Sequence, residues 1–350
     1  MLSPFSAKYA REVSDGDPGF TAEIDPGDEM YRYALRSLRG SADAAALLYF
    51  SVGRLIADST ADAIAWRFGT RGPARVLDFA AGYGRATRFL VRRLAPGALT
   101  AAEIDPAALA FQHKAFGVET LLAPRDAGDF RPSATWEAVV AASFFSHLSE
   151  SRFHGWLAAL WSAVAPGGLL LFSTHGPTLA GEGGDLSRGI VFRPESETDR
   201  LDGEAYGSSW VTAEFVRDAV RRSCPAGALH AVPFGLDGRQ DLYAVARPPQ
   251  TPGEPLALRA VPRGELDHLD VSAPRELACE GTLESEGDAD VVFLAAESER
   301  GRLRIGSGAS ARRWRFDVDL DGVSPEDVLR VEARSAGRTR ILAMGTLARL

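Results

Sequence analysis

Cysteine is nearly absent from this chain. Among 350 residues there are two, Cys224 and Cys279, far apart and without histidines at metal-ligand spacing, which excludes a disulfide framework and a zinc site. A run of apolar residues long enough to span a bilayer is missing too, and the opening segment "MLSPFSAKYAREVSDGD" has no apolar core of signal-peptide length. Positive charge is not in excess. The 39 Lys and Arg stand against 47 Asp and Glu for a formal net charge of -8, and the arginine pairs at 92–93, 221–222 and 312–313 are short and scattered. Neither nucleic acid nor a membrane is therefore an expected partner. Internal repeats and low-complexity tracts are also missing. What remains is a cytoplasmic globular protein, with 45% hydrophobic residues to build a core and a length that suggests about two domains.

The pattern of apolar residues changes three times along the chain. Residues 1–73 form an N-terminal helical segment, with a loop-rich start followed by helical spacing in "DEMYRYALRSL" and in "SADAAALLYFSVGRLIADSTADAIAWRFG", which Ser41 caps. Residues 74–247 alternate strands with helices. The strands are "RVLDFA", "ALTAAEI", "VETLLAP", "WEAVVAAS" and "GGLLLFSTH", and the helices between them are "GRATRFLVRRLA", "DPAALAFQHKAF" and "RFHGWLAALWSAVA". Such alternation implies right-handed crossovers and a parallel sheet covered on both faces. A long glycine-rich insertion from Gly176 to Trp210 follows, then the helix "VTAEFVRDAVRRS" and the strands "ALHAVPFG" and "DLYAVARP", which the turn around "LDGRQ" makes an antiparallel hairpin. Residues 248–255 are a proline-rich linker. Beyond it, residues 256–350 show short strands and glycine turns without a helix, "DVVFLAAE", "RLRIG", "RRWRFDVDLDG", "VLRVEARSAG" and "TRILAMG", as in a small β-sandwich. In it Trp314, Phe316, Val318 and Leu320 alternate and belong to a core-facing strand.

The stretch "VLDFAAGYGRATRFL" holds the densest chemistry. Between a strand and a helix, Gly82 and Gly84 let the backbone approach a ligand without a Cβ in the way, and the helix start offers free N–H groups. Tight strand-to-helix turns also use glycine for steric reasons alone. Two carboxylates raise the value of this loop. Asp78 sits inside the apolar run, where ionisation requires hydrogen bonds. Glu103 closes the next strand, where an acidic side chain meets ribose hydroxyls in nucleotide-binding α/β folds. A dinucleotide would require a small residue where Thr87 stands. A ribose-bearing ligand with an amino-acid tail would instead be served by Asp78, which can supply an anion for its ammonium directly or through the loop's structure.

The motifs "VLDFAAGYGR", "LTAAEIDPAAL", "RDAGDF", "WEAVVAASFFSHL" and "LWSAVAPGGLLLFSTHG", in this order over residues 74–247, resemble the class I S-adenosylmethionine-dependent methyltransferases. The family's loop has a further glycine where Ala80 stands. The resemblance implies a Rossmann-like seven-stranded sheet preceded by helices, with the all-β part appended, and S-adenosyl-L-methionine as cofactor. It implies that Asp78, Ala80, Gly82 and Gly84 face the methionine part, that Glu103 accepts the ribose hydroxyls, and that Ile104 packs on the adenine. Asp126 with Ala127 would meet the adenine amino group, and Ser143 with Phe144 would line the cofactor. Tyr49 and Gly53 read as helix packing.

Methyl transfer to oxygen or nitrogen needs a proton acceptor, and ligands of open α/β sheets bind beyond the carboxyl ends of the strands. His147 and His175 fall there and are the catalytic candidates, each with a structural hydrogen-bonded role as the alternative. In the insertion, Arg193 is a candidate for an anionic group, and Tyr206 and Trp210 for stacking on the acceptor. No metal site is expected. The function expected is methyl transfer to a small-molecule or sugar-like acceptor of a bacterial natural-product or surface-glycan pathway, with a homodimer formed through the C-terminal β-domain. A non-methylating reaction at the same pocket and a catalytically silent partner-binding module are the alternatives.

Overall fold

The computed structural model describes residues 2–181, 185–195, 203, 205–249, 256–273, 275–296, 298–325 and 327–346. Most of the proline-rich linker, 250–255, and positions 182–184, 196–202 and 204 of the insertion lie outside the described residues. The chain divides into two compact units: Met1–Glu23, Met30–Leu55 and Arg259–Leu350 form one, and Ile24–Glu29 and Ile56–Leu258 the other.

Three helices open the chain, α1 (Pro4–Val13), α2 (Glu29–Ser37) and α3 (Ala42–Phe68). The first was not expected from its loop-like composition. Its signal is Ser3-Pro4: the Ser3 hydroxyl accepts the Ser6 amide at 3.0 Å and proline occupies the first turn, where no N–H is needed. The division between the units falls within α3, after Leu55.

In the second unit, near-continuous apolar runs mark the central strands, because a parallel sheet covered on both faces buries every side chain. All four residues of β1 (Val76–Phe79) are buried. It is followed by α4 (Thr87–Leu90), β2 (Leu99–Glu103), α5 (Pro106–Phe116), β3 (Glu119–Leu122), β4 (Trp136–Ala141), α6 (Glu150–Ala163) and β5 (Val164–Thr174). Helix α4 is a single turn flanked by irregular turns, shorter than its apolar pattern suggested. The insertion carries a two-stranded ribbon, β6 (Ile190–Arg193) and β7 (Ser208–Val211), and then come α7 (Ala213–Ser223), β8 (Ala228–Val232) and β9 (Asp241–Ala246). The seven-stranded order is β3-β2-β1-β4-β5-β9-β8. The first five strands are mutually parallel, and β9 runs antiparallel to both β5 and β8, as the hairpin required. Strand order reverses between β1 and β4, which opens a crevice at their carboxyl ends. No helix among the described residues is long and apolar enough to cross a membrane.

The C-terminal strands are β10 (Arg263–Ala273), β11 (Glu276–Ser285), β12 (Ala289–Ala295), β13 (Ser298–Ile305), β14 (Gly308–Asp319), β15 (Val328–Ser335) and β16 (Arg338–Thr346). They form antiparallel sheets β10-β11-β14 and β13-β12-β15-β16. One core takes Leu277, Cys279, Trp314 and Val318 from the first sheet and Val291, Phe293, Val331 and Ala333 from the second. This is a β-sandwich. Strands β10 and β11 escaped the sequence pattern because charged and small residues dominate them.

The other face of β15 is buried yet charged. Arg330 and Glu332 are each 2% exposed and pair at 2.6 Å, and Arg334 binds the second Glu332 oxygen at 2.6 Å. From α1, Tyr9 places its ring 5.0 Å from the Arg330 guanidinium and Glu12 approaches it at 3.6 Å. Removing one member of such a pair leaves an uncompensated buried charge, at a cost of about 3–5 kcal/mol. Glu332→Ala is therefore expected to lower stability by about that amount in urea unfolding, and Arg334→Ala, at a side chain 30% exposed, by far less.

Candidate active site

Past Phe79 the chain makes a left-handed turn, with φ of +57° at Ala80, +55° at Gly82 and +79° at Gly84. Left-handed backbone favours glycine, so Ala80 holds a strained conformation. The two glycines do different work. A Cβ on Gly84 would come within 2.4 Å of the Phe116 ring, so this position lets α5 pack against the loop. A Cβ on Gly82 would meet nothing within 4 Å, so the backbone there faces open space.

Two side chains hold the loop from neighbouring elements. Glu103, at the end of β2, accepts the amides of Gly82 at 2.9 Å, Ile104 at 2.7 Å and Asp105 at 3.3 Å. Burial raises its pKa, against those three N–H groups, which favour the anion. Gln112 of α5 is fully buried and donates to the Gly82 carbonyl at 2.8 Å. Asp78 is 4% exposed and accepts the Thr87 hydroxyl at 2.8 Å. Burial pushes it up to about 6. Thr87, a poor fit to a dinucleotide loop, is thus the partner of Asp78. Ile104 follows Glu103, half-buried.

At the next edge, Asp126 is largely exposed and paired with Arg152 at 2.9 Å, and Ala127 packs on the core beside it. Phe144 is buried between Phe79 at 5.2 Å and Trp156 at 5.5 Å, ring centre to ring centre. Ser143 has a φ of +56°, and its amide donates to Ser173 at 2.7 Å.

The structure brings the histidines and the insertion together. His147 stacks on Tyr206 at 4.4 Å and lies 6.0 Å from His175, which faces Trp210 at 6.0 Å. The His147 Nδ1–H donates to the Gly207 carbonyl at 2.8 Å, and the Gly207 amide donates back to the His147 carbonyl at 3.1 Å. Burial first, and the charge of Arg85 in addition, lower the His147 pKa to about 4, so the ring is neutral at physiological pH. Arg193 covers the Trp210 ring at 5.1 Å. Tyr206, Trp210 and Arg193 thus stack on the protein's own groups.

Residues 77–170 match a family profile described as "Methyltransferase domain". These residues carry a methyltransferase domain. Among curated proteins none matches the chain. Solved structures similar to it include an O-methyltransferase family protein from Burkholderia thailandensis, at 16% identity over 71% of each chain with a TM-score of 0.43. The glycopeptide N-methyltransferase MtfA is 20% identical over 55% of this chain and 90% of its own, with a TM-score of 0.40. The plantazolicin methyltransferase BpumL, in complex with SAH, is 13% identical over 70% of this chain and 96% of its own, with a TM-score of 0.43.

The residues at the glycine loop fit the S-adenosylmethionine that the sequence resemblance implies. Gly82 leaves space where a side chain would intrude, and the Glu103 carboxylate beside it is preorganised by backbone amides. Three residues of this region carried no signal of their own in the sequence: Gln112, which reads as one more polar helix residue, Arg85, and Gln240, whose amide reaches the Ser143 hydroxyl at 2.9 Å.

Two outcomes follow. Hydrogen bonds to a charged group contribute about 1.5–3 kcal/mol each, so Glu103→Ala should weaken S-adenosylhomocysteine binding about ten- to hundredfold in calorimetry. Asp78 has its pKa raised from 3.8 to about 6, so the folded state holds this proton more tightly than the unfolded chain. Its stabilising effect is complete at low pH and disappears as pH rises through 6. Urea unfolding should show stability falling over that interval more steeply in the wild type than in Asp78→Asn.

Proposed function

We propose that the methyltransferase transfers the cofactor methyl group in line to an oxygen or nitrogen of a small-molecule or sugar-like acceptor, in a bacterial natural-product or surface-glycan pathway. The observation that carries this reading is the wall of His147, Tyr206, His175 and Trp210, built from the ends of β4 and β5 and from the insertion. Such a wall presents flat, partly polar surfaces to a ring.

The bound sulfonium supplies an electrophilic methyl group, so the protein's task is chiefly alignment and exclusion of water. In this reading Glu103 receives the ribose hydroxyls, and the loop of Asp78, Ala80, Gly82 and Gly84 faces the amino-acid end. Ile104, Asp126 and Ala127 border the adenine, and Ser143 with Phe144 lines the side of β4. His175 accepts the proton released by the nucleophile. His147 is too weak a base at its lowered pKa of about 4. It positions the insertion instead, through its double contact with Gly207. Arg193 and Trp210 offer a cation and an aromatic plane to the acceptor. Both cysteines are free and buried, which suits a reducing cytoplasm, and residues 256–350 serve as an accessory domain for self-association.

Incubation with methyl-labelled S-adenosylmethionine and panels of hydroxyl- and amine-bearing small molecules tests the reading. Labelled product with one equivalent of S-adenosylhomocysteine supports it, and product without S-adenosylhomocysteine points to a non-methylating reaction. General base catalysis contributes about 10²–10⁴-fold, so His175→Gln should lower kcat by at least about 100-fold with S-adenosylhomocysteine affinity unchanged.

A further inference from the structure

We propose that Gln240 is a positioning residue of the cofactor site: it fixes the Ser143 hydroxyl so that its single proton points to the bound S-adenosyl ligand. The inference rests on the cofactor reading above. Three hydrogen bonds close a ring across the carboxyl edge of the sheet. The Ser143 amide donates to the Ser173 hydroxyl oxygen at 2.7 Å, the Ser173 hydroxyl donates to Gln240 Oε1 at 2.7 Å, and Gln240 Nε2 donates to the Ser143 hydroxyl oxygen at 2.9 Å.

The directions in this ring follow from the burial of Ser173, whose hydroxyl has Gln240 as its one acceptor among the described residues. Ser173 is fully buried, and its one proton goes to Gln240, so its lone pair is what receives the Ser143 amide. That sets the orientation of the Gln240 amide, whose N–H then makes Ser143 Oγ an acceptor toward the protein. The Ser143 proton is thereby directed away from the ring, and among the described residues no acceptor takes it.

The placement suits a ligand at the glycine loop. Strands β1 and β4 are parallel neighbours in the sheet, and the glycine loop and Ser143 both follow their carboxyl ends, Phe79 and Ala141. Neighbouring strands are about 5 Å apart, within reach of a ligand lying over Gly82. Ser143 has a left-handed φ of +56°, unfavourable for a non-glycine residue, and its amide is tied to the ring through Ser173. Gln240 itself is set by the turn before β9, where Asp237 accepts the amides of Arg239 and Gln240 at 3.0 Å each.

The test uses Gln240→Glu, Ser143→Gly and the double variant, with S-adenosylhomocysteine affinity by calorimetry and melting temperature as separate readouts. Glutamate can still accept from Ser173 but must also accept from Ser143, which turns the proton inward. The expected result is a three- to tenfold rise in Kd, the effect of about one neutral hydrogen bond, with the melting temperature near that of the wild type. Ser143→Gly relieves the left-handed backbone and removes the hydroxyl, so it should melt no lower than the wild type and bind as weakly as Gln240→Glu. The double variant should bind no more weakly than Ser143→Gly alone. Unchanged affinity in Gln240→Glu, additive losses in the double variant, or losses that track melting temperature overturn the proposal. If the wild type itself fails to bind S-adenosylhomocysteine, the cofactor reading falls and takes this inference with it; wild-type binding with unaffected variants defeats this inference alone.

Discussion

The bond from the Gly82 amide to Glu103 organises the methyltransferase domain's site. It ties the loop after β1 to the end of β2, through the carboxylate that we propose receives the cofactor's sugar. Burial raises the proton affinity of that carboxylate, and three backbone amides oppose the rise. The group is therefore a preorganised acceptor. Gln112 completes the clamp from α5, and the missing side chain of Gly84 lets Phe116 pack against the loop. The rim of the crevice at the strand-order reversal is held by the hydrogen bonds of the Gly82 amide and carbonyl to the Glu103 and Gln112 side chains.

The same logic of holding a polar group in place recurs elsewhere. His147 stood out in the sequence as a base, and its position at the end of β4 is where a base belongs. Its imidazole is instead buried and bonded to Gly207, and this pair of contacts sews the returning strand of the insertion to the sheet. Tyr206 and Trp210 lie where an acceptor would be expected, stacked on His147 and covered by Arg193 respectively. The aromatic surfaces that the sequence suggested for an acceptor thus anchor the insertion.

In the other unit, α1 lies over a sheet face that carries Arg330 and Glu332 in place of apolar residues. A charged layer of this kind depends on complete pairing, because desolvated charges are tolerated only when each has its partner. It accounts for β15 being buried at every position but Arg334 although its sequence alternates apolar and charged residues.

The alternation of apolar runs with helical segments, the antiparallel last hairpin and the sandwich strands with strong apolar alternation were all legible in the sequence, because local patterning reflects which faces are covered. Asp78, Gly82 and Glu103 stood out in the sequence too, since a carboxylate or paired glycines at a strand end is a local anomaly with few explanations. Strands β10 and β11 and helix α1 were not, because charged outward faces and a two-residue cap signal carry little periodicity. What only the tertiary structure decided are the relations between distant residues: Gln112 with Gly82, Gln240 with Ser143 and Ser173, His147 with Gly207, and Tyr9 with Arg330. Each joins positions that the chain separates by many residues, and hydrogen-bond direction and burial exist only once folding has brought them within reach.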